Sequence, residues 1–377
     1  LMIRRPPRST QSRSSAASDV YKRQRIAVLG CGRVANHYKK IFQSGIVSDY
    51  ELVGFHDILN ERSKEFSEIF NSKSFESYEE MLTVTNPQLL LILTPSGLHY
   101  EHTKVAFNFG CNVLVEKPAT MIPDQAMELQ KIATTKKLMY GVAFQNRLNP
   151  AITALAKAIN NNRFGKIITA TIRLRWCRYQ DYYEDQWHGT WANDGGVINQ
   201  QAIHHVDAIN WLLGPVVSVN ATITNRLNDL EAEDTLVALM KFSNGSLGTI
   251  EATTAARPED FEASLSVVGE KGMVLVGGIA LNKIETWKFV DSIDEDEKIP
   301  EQFSQEVETG YGLSHGPLLQ EIINSLLNNN IVAPVSAKSA INTSCLIHAL
   351  YKSDEIQDWV RISDKPLSAR LGKKLGS

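Results

Sequence analysis

The sequence lacks the long apolar runs and the excess of one charge that mark membrane and nucleic-acid-binding proteins. Its longest apolar run, residues 89–93, is far too short to span a bilayer. The 39 basic and 42 acidic residues leave a formal net charge of −3, which gives no reason to expect binding to nucleic acid or to an acidic membrane. We therefore expect neither as a partner.

Cysteine is also scarce, and the cysteines present are far apart. The chain has four: Cys31, Cys111, Cys177 and Cys345. No pair has the spacing of a metal site or a redox motif. This pattern favours reduced thiols and a cytoplasmic location.

Residues 1–24 differ in composition from the rest of the chain. They are rich in arginine and serine, and they lack the apolar stretch of a secretory signal. The composition allows an organellar transit peptide, and the stretch also resembles translated vector sequence joined to a gene fragment. We expect a non-native or disordered leader that takes no part in the fold.

A glycine-rich turn follows the first short apolar run, with the spacing Gly30-x-Gly32-x-x-Ala35. Gly30 allows a tight turn, Gly32 lets a pyrophosphate approach the backbone, and the N-terminus of the following helix attracts phosphate. The pattern predicts a dinucleotide site that includes Arg33 and Val34. A tight strand–helix turn without a ligand has the same pattern.

An acidic residue, Asp57, ends the second predicted strand. It lies at the distance from the glycines where a dinucleotide-binding fold places an acid that binds the adenosine ribose. Such an acid repels a 2′-phosphate, which favours NAD over NADP, whereas Arg62 just downstream could weaken that preference. Alternatively, Asp57 caps the helix that follows.

Strands and helices alternate through residues 25–145, which predicts an NAD-binding Rossmann domain with a doubly wound parallel sheet. In such sheets, ligands bind at the carboxyl ends of the strands. Several predicted site residues lie at or just beyond such ends: Thr94, Pro95, His99, Glu116 and Lys117. We expect all of them to contribute to the cofactor site.

The pattern changes in residues 146–377. Strand-like runs follow one another with few helices between them, and Asn244-Gly245 is a strong hairpin signal. We predict an α+β domain with a large, mostly antiparallel sheet, which binds substrate and mediates oligomerisation. Helices can cover one face of this sheet, and the other face also needs cover. A homodimer or homotetramer through the sheet is therefore expected.

Residues 175–214 contain the densest cluster of aromatic and histidine side chains, with four tryptophans, three tyrosines and three histidines. The histidines, His188, His204 and His205, have no convincing ligand spacing, and adjacent helical residues do not face the same way. We therefore predict no metal site. The crowding of aromatic residues beside arginines and a Gly-Gly turn indicates the wall of a pocket.

Taken together, three stretches resemble the Gfo/Idh/MocA family of nicotinamide-dependent oxidoreductases: "GCGRVA", "TPSGLHYEHTKVAFNFGCNVLVEKPAT" and "DGGVINQQAIHHVDAINWLLG". The resemblance implies that Lys117 lies beside the nicotinamide and the reacting hydroxyl. It implies a catalytic role for His204 and a substrate contact for Asp207. Gln200 occupies a position where many relatives have aspartate, which puts in doubt any relay that needs a carboxylate there. As a neutral group, Gln200 is expected to contact the substrate and to orient its hydroxyl or His204.

The block that begins "RWCRYQDYYEDQW" is similar to the branch of the family that acts on nucleotide-linked amino sugars, including the UDP-N-acetylglucosaminuronate 3-dehydrogenases. The stretch "GYGLSHGPLLQEIINSL", with His315, resembles the same branch. The implied reaction is hydride transfer between a secondary hydroxyl of a sugar ring and NAD. Either His204 or a Lys117 of lowered pKa could accept the hydroxyl proton.

Three functions remain open at this point. The first is a nucleotide-sugar dehydrogenase. The second is a dehydrogenase of free sugars or cyclitols, and the third is a cofactor-binding regulatory protein without turnover. The presence of both Lys117 and His204 argues against the third. Arginine suits diphosphate and carboxylate groups, so we expect Arg178 and Tyr179 to lie nearer the substrate than Arg173. The alternative is that Arg173 and Arg175 are solvated sheet residues.

Overall fold

The computed structural model describes residues 23–185 and 187–373. The predicted leader lies outside these residues as far as residue 22, and its last residue, Gln24, begins the first strand. Two sheets organise the chain, one in each half. None of the helices in the described ranges is long and apolar enough to cross a membrane.

The first sheet has six strands, and every pairing in it is parallel, as predicted. The strands are β1 (Gln24–Leu29), β2 (Tyr50–His56), β3 (Ser74–Phe75), β4 (Leu89–Ile92), β5 (Asn112–Val115) and β6 (Tyr140–Val142), in the order β3-β2-β1-β4-β5-β6. All four residues of β4 are buried, since helices cover both faces of such a sheet. This is a Rossmann-type architecture.

Helices connect these strands. They are α1 (Arg33–Ser44), α2 (Asn60–Ile69), α3 (Tyr78–Thr85), α4 (His99–Asn108), α5 (Pro123–Lys136) and α6 (Pro150–Asn160), the last of which leads into the second half. Local signals set several of their ends. Ser77 accepts the N–H of Glu80 at 3.3 Å and caps α3, and Pro123 and Pro150 occupy first helical positions, where proline is favoured.

The second sheet has eight strands and is antiparallel except for one pair. The strands are β7 (Ile167–Arg175), β8 (Val216–Thr224), β9 (Thr235–Phe242), β10 (Leu247–Thr253), β11 (Glu262–Gly269), β12 (Gly272–Gly277), β13 (Lys283–Phe289) and β14 (Val360–Arg361). Their order is β13-β12-β11-β7-β10-β9-β8-β14, with β7 and β10 parallel. The predicted Asn244-Gly245 turn joins β9 to β10. The fold class predicted from the sequence is confirmed.

The helices of the second half are α7 (Val197–Gln200), α8 (Ile203–Leu213), α9 (Ile299–Phe303), α10 (His315–Leu327) and α11 (Ala337–Ile356). Helices α8 and α11 pack on one face of the second sheet. Helix α8, which carries His204 and Asp207, begins at Ile203 and follows the separate helical turn α7.

The edge of the first sheet is completed by the second half of the chain. The last strand of the first sheet, β6, ends at Val142. The N–H of Val142 donates to the carbonyl of Val335 at 3.0 Å, and Gly141 forms an isolated bridge with Ser336. The edge strand of the Rossmann sheet is thus partly paired with a segment almost 200 residues later.

Candidate active site

The glycine turn joins β1 to α1. Gly30 has a φ of +91°, and a Cβ there would lie 2.9 Å from a backbone carbonyl group after β4, so glycine is required. A Cβ on Gly32 would meet the Arg62 guanidinium at 3.8 Å and nothing nearer among the described residues. The turn and the start of α1, with Arg33 and Val34, therefore leave the backbone open to a pyrophosphate.

Asp57 is buried beside this turn. One carboxylate oxygen accepts the N–H of Cys31 at 2.7 Å, and the other accepts the N–H of Leu59 at 2.8 Å. Leu59 is the N-cap residue of α2, so Asp57 fixes the approach to that helix without being its cap. The carboxylate also holds the glycine turn in place. Its contact with a ribose remains a prediction.

The predicted cofactor residues after β4 are held close to Lys117 by His99. One ring nitrogen of His99 lies 2.8 Å from the carbonyl oxygen of Thr94, which precedes Pro95, and the other lies 2.7 Å from that of Pro118. The side chain is buried. Both ring nitrogens lie against backbone carbonyl oxygens, and the neutral ring donates to one of them at a time. His99 thus joins two loops of the site, and its contact with a cofactor remains a prediction.

Lys117 is held by Gln200. The ammonium group donates to the backbone carbonyl of Gln200 at 2.8 Å and also to its side-chain carbonyl. Burial lowers the pKa of Lys117, and the carboxylates of Glu116 and Asp194 oppose that effect. Gln200 thus directs the ammonium group without competing for its proton. Sequence reasoning assigned Gln200 to a hydroxyl or to His204 and did not foresee this contact.

His204 lies near the start of α8, with its ring edge-to-face against Phe144 at 5.9 Å between centroids. Its Nδ1 is buried and has no hydrogen-bond partner within the described ranges. Burial lowers the pKa of His204 well below its usual value, and the positive charges of Lys117 and His315 act in the same direction. His204 is therefore a neutral imidazole near pH 7 and can accept a proton.

Glu116 directly follows β5, beside Lys117, and is buried. One carboxylate oxygen accepts the Tyr38 hydroxyl at 3.2 Å and lies 3.7 Å from Nε2 of His315. Burial raises the pKa of Glu116 to about 6. Its side chain therefore joins α1 to the start of α10. The contact of Glu116 with a cofactor remains a prediction.

The carboxylate of Asp207 is not free in the cleft. This corrects the expectation that Asp207 contacts the substrate. It accepts from Nε and Nη2 of Arg147 at 2.7 and 2.6 Å, and from the Thr343 hydroxyl at 2.8 Å. The carboxylate is buried. Its oxygens are saturated by protein groups, so Asp207 anchors α8 to the segment after β6 and to α11.

Arg173 and Arg175 lie on the open face of the second sheet, as the alternative interpretation expected. Arg175 pairs with Glu251 at 2.7 Å and with Glu262 at 3.0 Å, and Arg173 lies 3.8 Å from Glu262. These carboxylates come from the neighbouring strands β10 and β11. The two arginines are therefore engaged within the sheet.

Arg178 and Tyr179 lie beyond the end of β7. Arg178 donates to Asp260 at 2.9 Å and stacks over the Trp176 ring at 4.9 Å. Tyr179 is 53% exposed, and the Arg257 guanidinium lies 4.3 Å from its ring centroid. An arginine–aromatic surface thus follows the strand. Contact between this surface and a substrate is a proposal.

The sequence analysis missed two acidic residues of this region, Asp185 and Asp194. It considered His188 only as a metal ligand, which it rejected. Nδ1 of His188 lies 2.6 Å from Asp185, which also pairs with Arg33 at 3.4 Å. Burial raises the pKa of Asp194 to about 8, although it accepts the N–H of Gly189 at 2.7 Å. The position of Asp194 directly before the Gly-Gly turn is the sequence feature that could have identified it.

Among the described residues, no group of three or more His, Cys, Asp and Glu side chains is placed to hold a metal ion. The arrangement near Lys117 has a different chemistry. It contains a directed amine and a neutral imidazole, close to a glycine turn suited to a dinucleotide. Such a set can take a proton from a hydroxyl and stabilise the developing charge on its oxygen.

Comparison with known families accounts for both halves of the chain. A model described as "Oxidoreductase family, NAD-binding Rossmann fold" matches residues 24–144, and one described as "Oxidoreductase family, C-terminal alpha/beta domain" matches residues 156–362. The chain belongs to the Gfo/Idh/MocA family. It is an NAD(P)-dependent dehydrogenase that acts on CH–OH groups of sugars, so the resemblance seen in the sequence is confirmed.

Among characterised members of the Gfo/Idh/MocA family, D-glucoside 3-dehydrogenase of Escherichia coli is 27% identical to this chain over 270 residues. The match covers 66% of this chain and 75% of that enzyme. The glucose-6-phosphate 3-dehydrogenase of Bacillus subtilis is 24% identical over 262 residues. These relatives support the activity class.

Two crystal structures match nearly the whole chain. The WlbA dehydrogenase of Chromobacterium violaceum, in complex with NADH and UDP-GlcNAcA, is 30% identical with a TM-score of 0.83, covering 96% of this chain and 99% of that one. The WlbA dehydrogenase of Bordetella pertussis, with the same two ligands, is 32% identical with a TM-score of 0.84, covering 90% and 98%. Levoglucosan dehydrogenase, at 16% identity and a TM-score of 0.78, shares the fold.

Proposed function

We propose that this Gfo/Idh/MocA member uses NAD to oxidise a secondary hydroxyl of a nucleotide-linked amino sugar or of its uronate. The observation that carries the proposal is the 30–32% identity, over at least 90% of the chain, to two WlbA dehydrogenases whose structures contain NADH and UDP-GlcNAcA. The arginine–aromatic surface of Arg178 and the exposed Tyr179 supports it, since arginine pairs with diphosphate and carboxylate.

The glycine turn fits the coenzyme. Gly32 leaves its backbone accessible to a pyrophosphate, and Asp57 lies beside the same turn. When bound, NAD supplies the hydride acceptor. Arg33 and Val34 begin the helix whose N-terminus would face the phosphates, while Thr94, Pro95 and Glu116 lie at the strand ends where the nicotinamide half would extend.

His204 and Lys117 divide the proton chemistry in this proposal. The neutral imidazole of His204 accepts the hydroxyl proton at Nε2, the ring nitrogen other than the enclosed Nδ1. Lys117 donates two hydrogen bonds to Gln200. As an ammonium group it has a third N–H, which can donate to the substrate oxygen. This donor stabilises the negative charge that develops on the oxygen.

The substrate is tested by a direct comparison. Purified protein with NAD would be assayed against UDP-N-acetylglucosaminuronate, UDP-N-acetylglucosamine, free glucose and myo-inositol. We expect the highest kcat/KM with a nucleotide sugar. Turnover confined to glucose or myo-inositol would overturn the substrate while leaving the family unchanged. A second candidate function is that of a dehydrogenase of free sugars or glycosides. The similarity to the D-glucoside 3-dehydrogenase of E. coli supports it.

A second part of the proposal is a homodimer or homotetramer through the second sheet. The face opposite α8 and α11 exposes several large apolar side chains, each 45–56% exposed: Ile168, Val237, Leu239, Leu247 and Met273. Such a patch favours burial against another copy. Light scattering after size exclusion would give the mass. The variant Leu239→Glu should shift it to the monomer, and a monomeric wild type would refute the interface.

A further inference from the structure

The last described residues of the chain, 366–373, form a segment that we call the C-terminal strap. It lies beyond residue 362, where the match to the family ends. We propose that the C-terminal strap positions the active site by holding two loops together. The first is the Lys117 loop, residues 117–122, and the second is the Trp191 loop, residues 187–196, which contains Asp194.

The strap has an anchor that is independent of both loops. The Ser368 hydroxyl donates to Glu355 at 2.7 Å, and the N–H of Ala369 donates to the same carboxylate at 2.8 Å. Arg370 pairs with Asp354 at 2.8 Å. Both acids belong to the last turns of α11, so this helix fixes where the strap begins.

From this anchor the strap reaches the Trp191 loop. The N–H of Gly372 donates to the carbonyl of Trp191 at 2.8 Å, and the Arg370 guanidinium lies 4.9 Å from the Trp191 ring centroid. Leu371 is 1% exposed, and its Cδ1 lies 2.9 Å from the place that a Cβ on Gly195 would occupy. The strap therefore fills the space directly behind the Gly-Gly turn.

The same residues also touch the Lys117 loop. A Cβ on Gly372 would lie 2.9 Å from the Ile122 side chain and 3.2 Å from that of Met121. In addition, the N–H of Ser368 donates to Nδ1 of His348, whose Nε2 lies 2.9 Å from the carbonyl oxygen of Met121. Since Nδ1 accepts, Nε2 carries the hydrogen and donates to the loop. The strap thus orients the imidazole that supports the Lys117 loop.

The two loops carry charged groups that act on one another. Asp194 lies close enough to Lys117 for their charges to interact, and the Asn199 side chain contacts both loops, through the carbonyl of Asp194 at 2.6 Å and the sulfur of Met121 at 3.9 Å. Catalysis is sensitive to such placement, because a shift of about 1 Å at the reacting groups can cost about 10²-fold in rate. Loosening the strap should therefore lower kcat.

Unlike kcat, the affinity for the coenzyme should not depend on the C-terminal strap. The glycine turn and Asp57 make no contact with the strap among the hydrogen bonds described for residues 366–373, so NADH affinity should not change. A segment that only added stability would lower neither kcat nor affinity in the protein that remains folded. The combination of lower kcat and unchanged NADH affinity is the signature of a positioning element.

Two glycine variants test the strap. Gly372 and Gly110 have nearly equal φ values, +78° and +77°, but a Cβ on Gly110 meets nothing within 4 Å. Gly372→Ala and Gly110→Ala thus impose similar backbone strain, and only the first collides with the Lys117 loop. We expect kcat with UDP-N-acetylglucosaminuronate and NAD to fall about 10-fold or more in Gly372→Ala, and to stay at the wild-type value in Gly110→Ala. Equal kcat values for both variants would refute the proposal.

A leucine pair controls for lost packing. Leu371→Ala and Leu129→Ala remove the same atoms from fully buried side chains, and Leu129 belongs to α5, outside the strap and outside both loops. We expect kcat to fall only in Leu371→Ala, at a temperature where both proteins are folded, with the NADH dissociation constant unchanged in both. A fall of kcat in both variants would show a general packing effect and overturn the positioning role.

The kcat readout rests on the proposed function, so a second readout is independent of substrate. Hydrogen exchange followed by mass spectrometry should show faster exchange in residues 117–122 and 187–196 of Leu371→Ala than of Leu129→Ala. If the wild type does not turn over the nucleotide sugar but this exchange difference is found, the proposed substrate fails and the strap stands. Unchanged exchange in both loops would overturn the strap.

Discussion

Nζ of Lys117 lies 2.8 Å from the backbone carbonyl oxygen of Gln200 and also donates to the amide oxygen of its side chain. This contact joins the carboxyl end of β5 to the last residue of α7, just before the helix that carries His204. A neutral amide therefore directs the lysine. A carboxylate at position 200 would also attract the ammonium charge and favour its protonated form.

Replacing Lys117 separates chemistry from cofactor binding. In Lys117→Ala, the glycine turn is untouched, so NADH should bind with wild-type affinity by fluorescence titration. Turnover should fall about 10²-fold or more, the scale of a lost acid–base or electrostatic group. Lys104→Ala, which removes a partly exposed ion pair with Glu128, is the control and should keep full activity. Near-normal kcat in Lys117→Ala would remove Lys117 from the mechanism.

The pH profile tests His204. Burial lowers its pKa in the folded state, so the imidazole stays neutral and able to accept a proton as the pH falls through 6.5. We expect the rate of alcohol oxidation to hold through that range and to decline only at more acid pH. His204→Ala should lower kcat and lose that acid limb. Glu116, whose pKa is raised to about 6, also titrates there, so the two profiles must be compared. If both keep the same limb, His204 has a structural role.

The same shift has a consequence for stability. A histidine whose pKa is lowered on folding binds its proton more readily in the unfolded chain. Its contribution therefore destabilises the protein as the pH falls below the unfolded value of about 6.5. Urea unfolding of wild type and His204→Ala at pH 7.5 and 5.5 should show a smaller loss of stability on acidification in the variant. An equal loss in both would contradict the neutral, buried state of the ring.

Asp57 should set the coenzyme preference. We expect a higher kcat/KM with NAD than with NADP, and a narrower gap in Asp57→Ser, because the carboxylate that repels the 2′-phosphate is removed. Arg62→Ala, which removes the nearby guanidinium, should widen the gap. The ratio of kcat/KM with NAD to kcat/KM with NADP is measured for these three proteins with one substrate. A wild-type enzyme that favours NADP would contradict this interpretation.

The Arg147–Asp207 pair should contribute strongly to stability. Both side chains are buried, at 8% and 2% exposure, and removing one partner leaves a buried charge without compensation. Arg147→Met should lose about 3–5 kcal/mol in the free energy of unfolding, measured by urea denaturation. Lys283→Ala, which removes an exposed pair with Glu306 at 2.9 Å, should lose at most about 1 kcal/mol. Equal losses of unfolding free energy in the two variants would show that the buried pair contributes no more to stability than the exposed pair.

The elements of this fold could be predicted because their signals are local. The glycine turn, the buried run of β4 and the Asn244-Gly245 hairpin each specify their conformation within a few residues. The general rule for parallel sheets also predicted which residues lie at the carboxyl ends of strands, and Lys117 does follow the end of β5.

What the sequence could not provide were pairings between distant residues. Asp207 meets Arg147 from 60 positions away, and Lys117 meets Gln200 from 83. Arg173 and Arg175 had the charge expected of ligand-binding residues, but their carboxylate partners on β10 and β11 are identified only when the strands are in register. His99 illustrates the same limit, because the backbone carbonyls that engage it carry no sequence signal.

The pairing of Val142 with Val335 has a consequence for synthesis of the chain. The ribosome releases the six-stranded sheet long before it makes residue 335, and until then β6 presents unpaired backbone groups at an open edge. Exposed edges of this kind template pairing with other chains. A fragment ending after α6 would therefore expose this strand edge to other chains, because the segment that covers it is made only with residue 335.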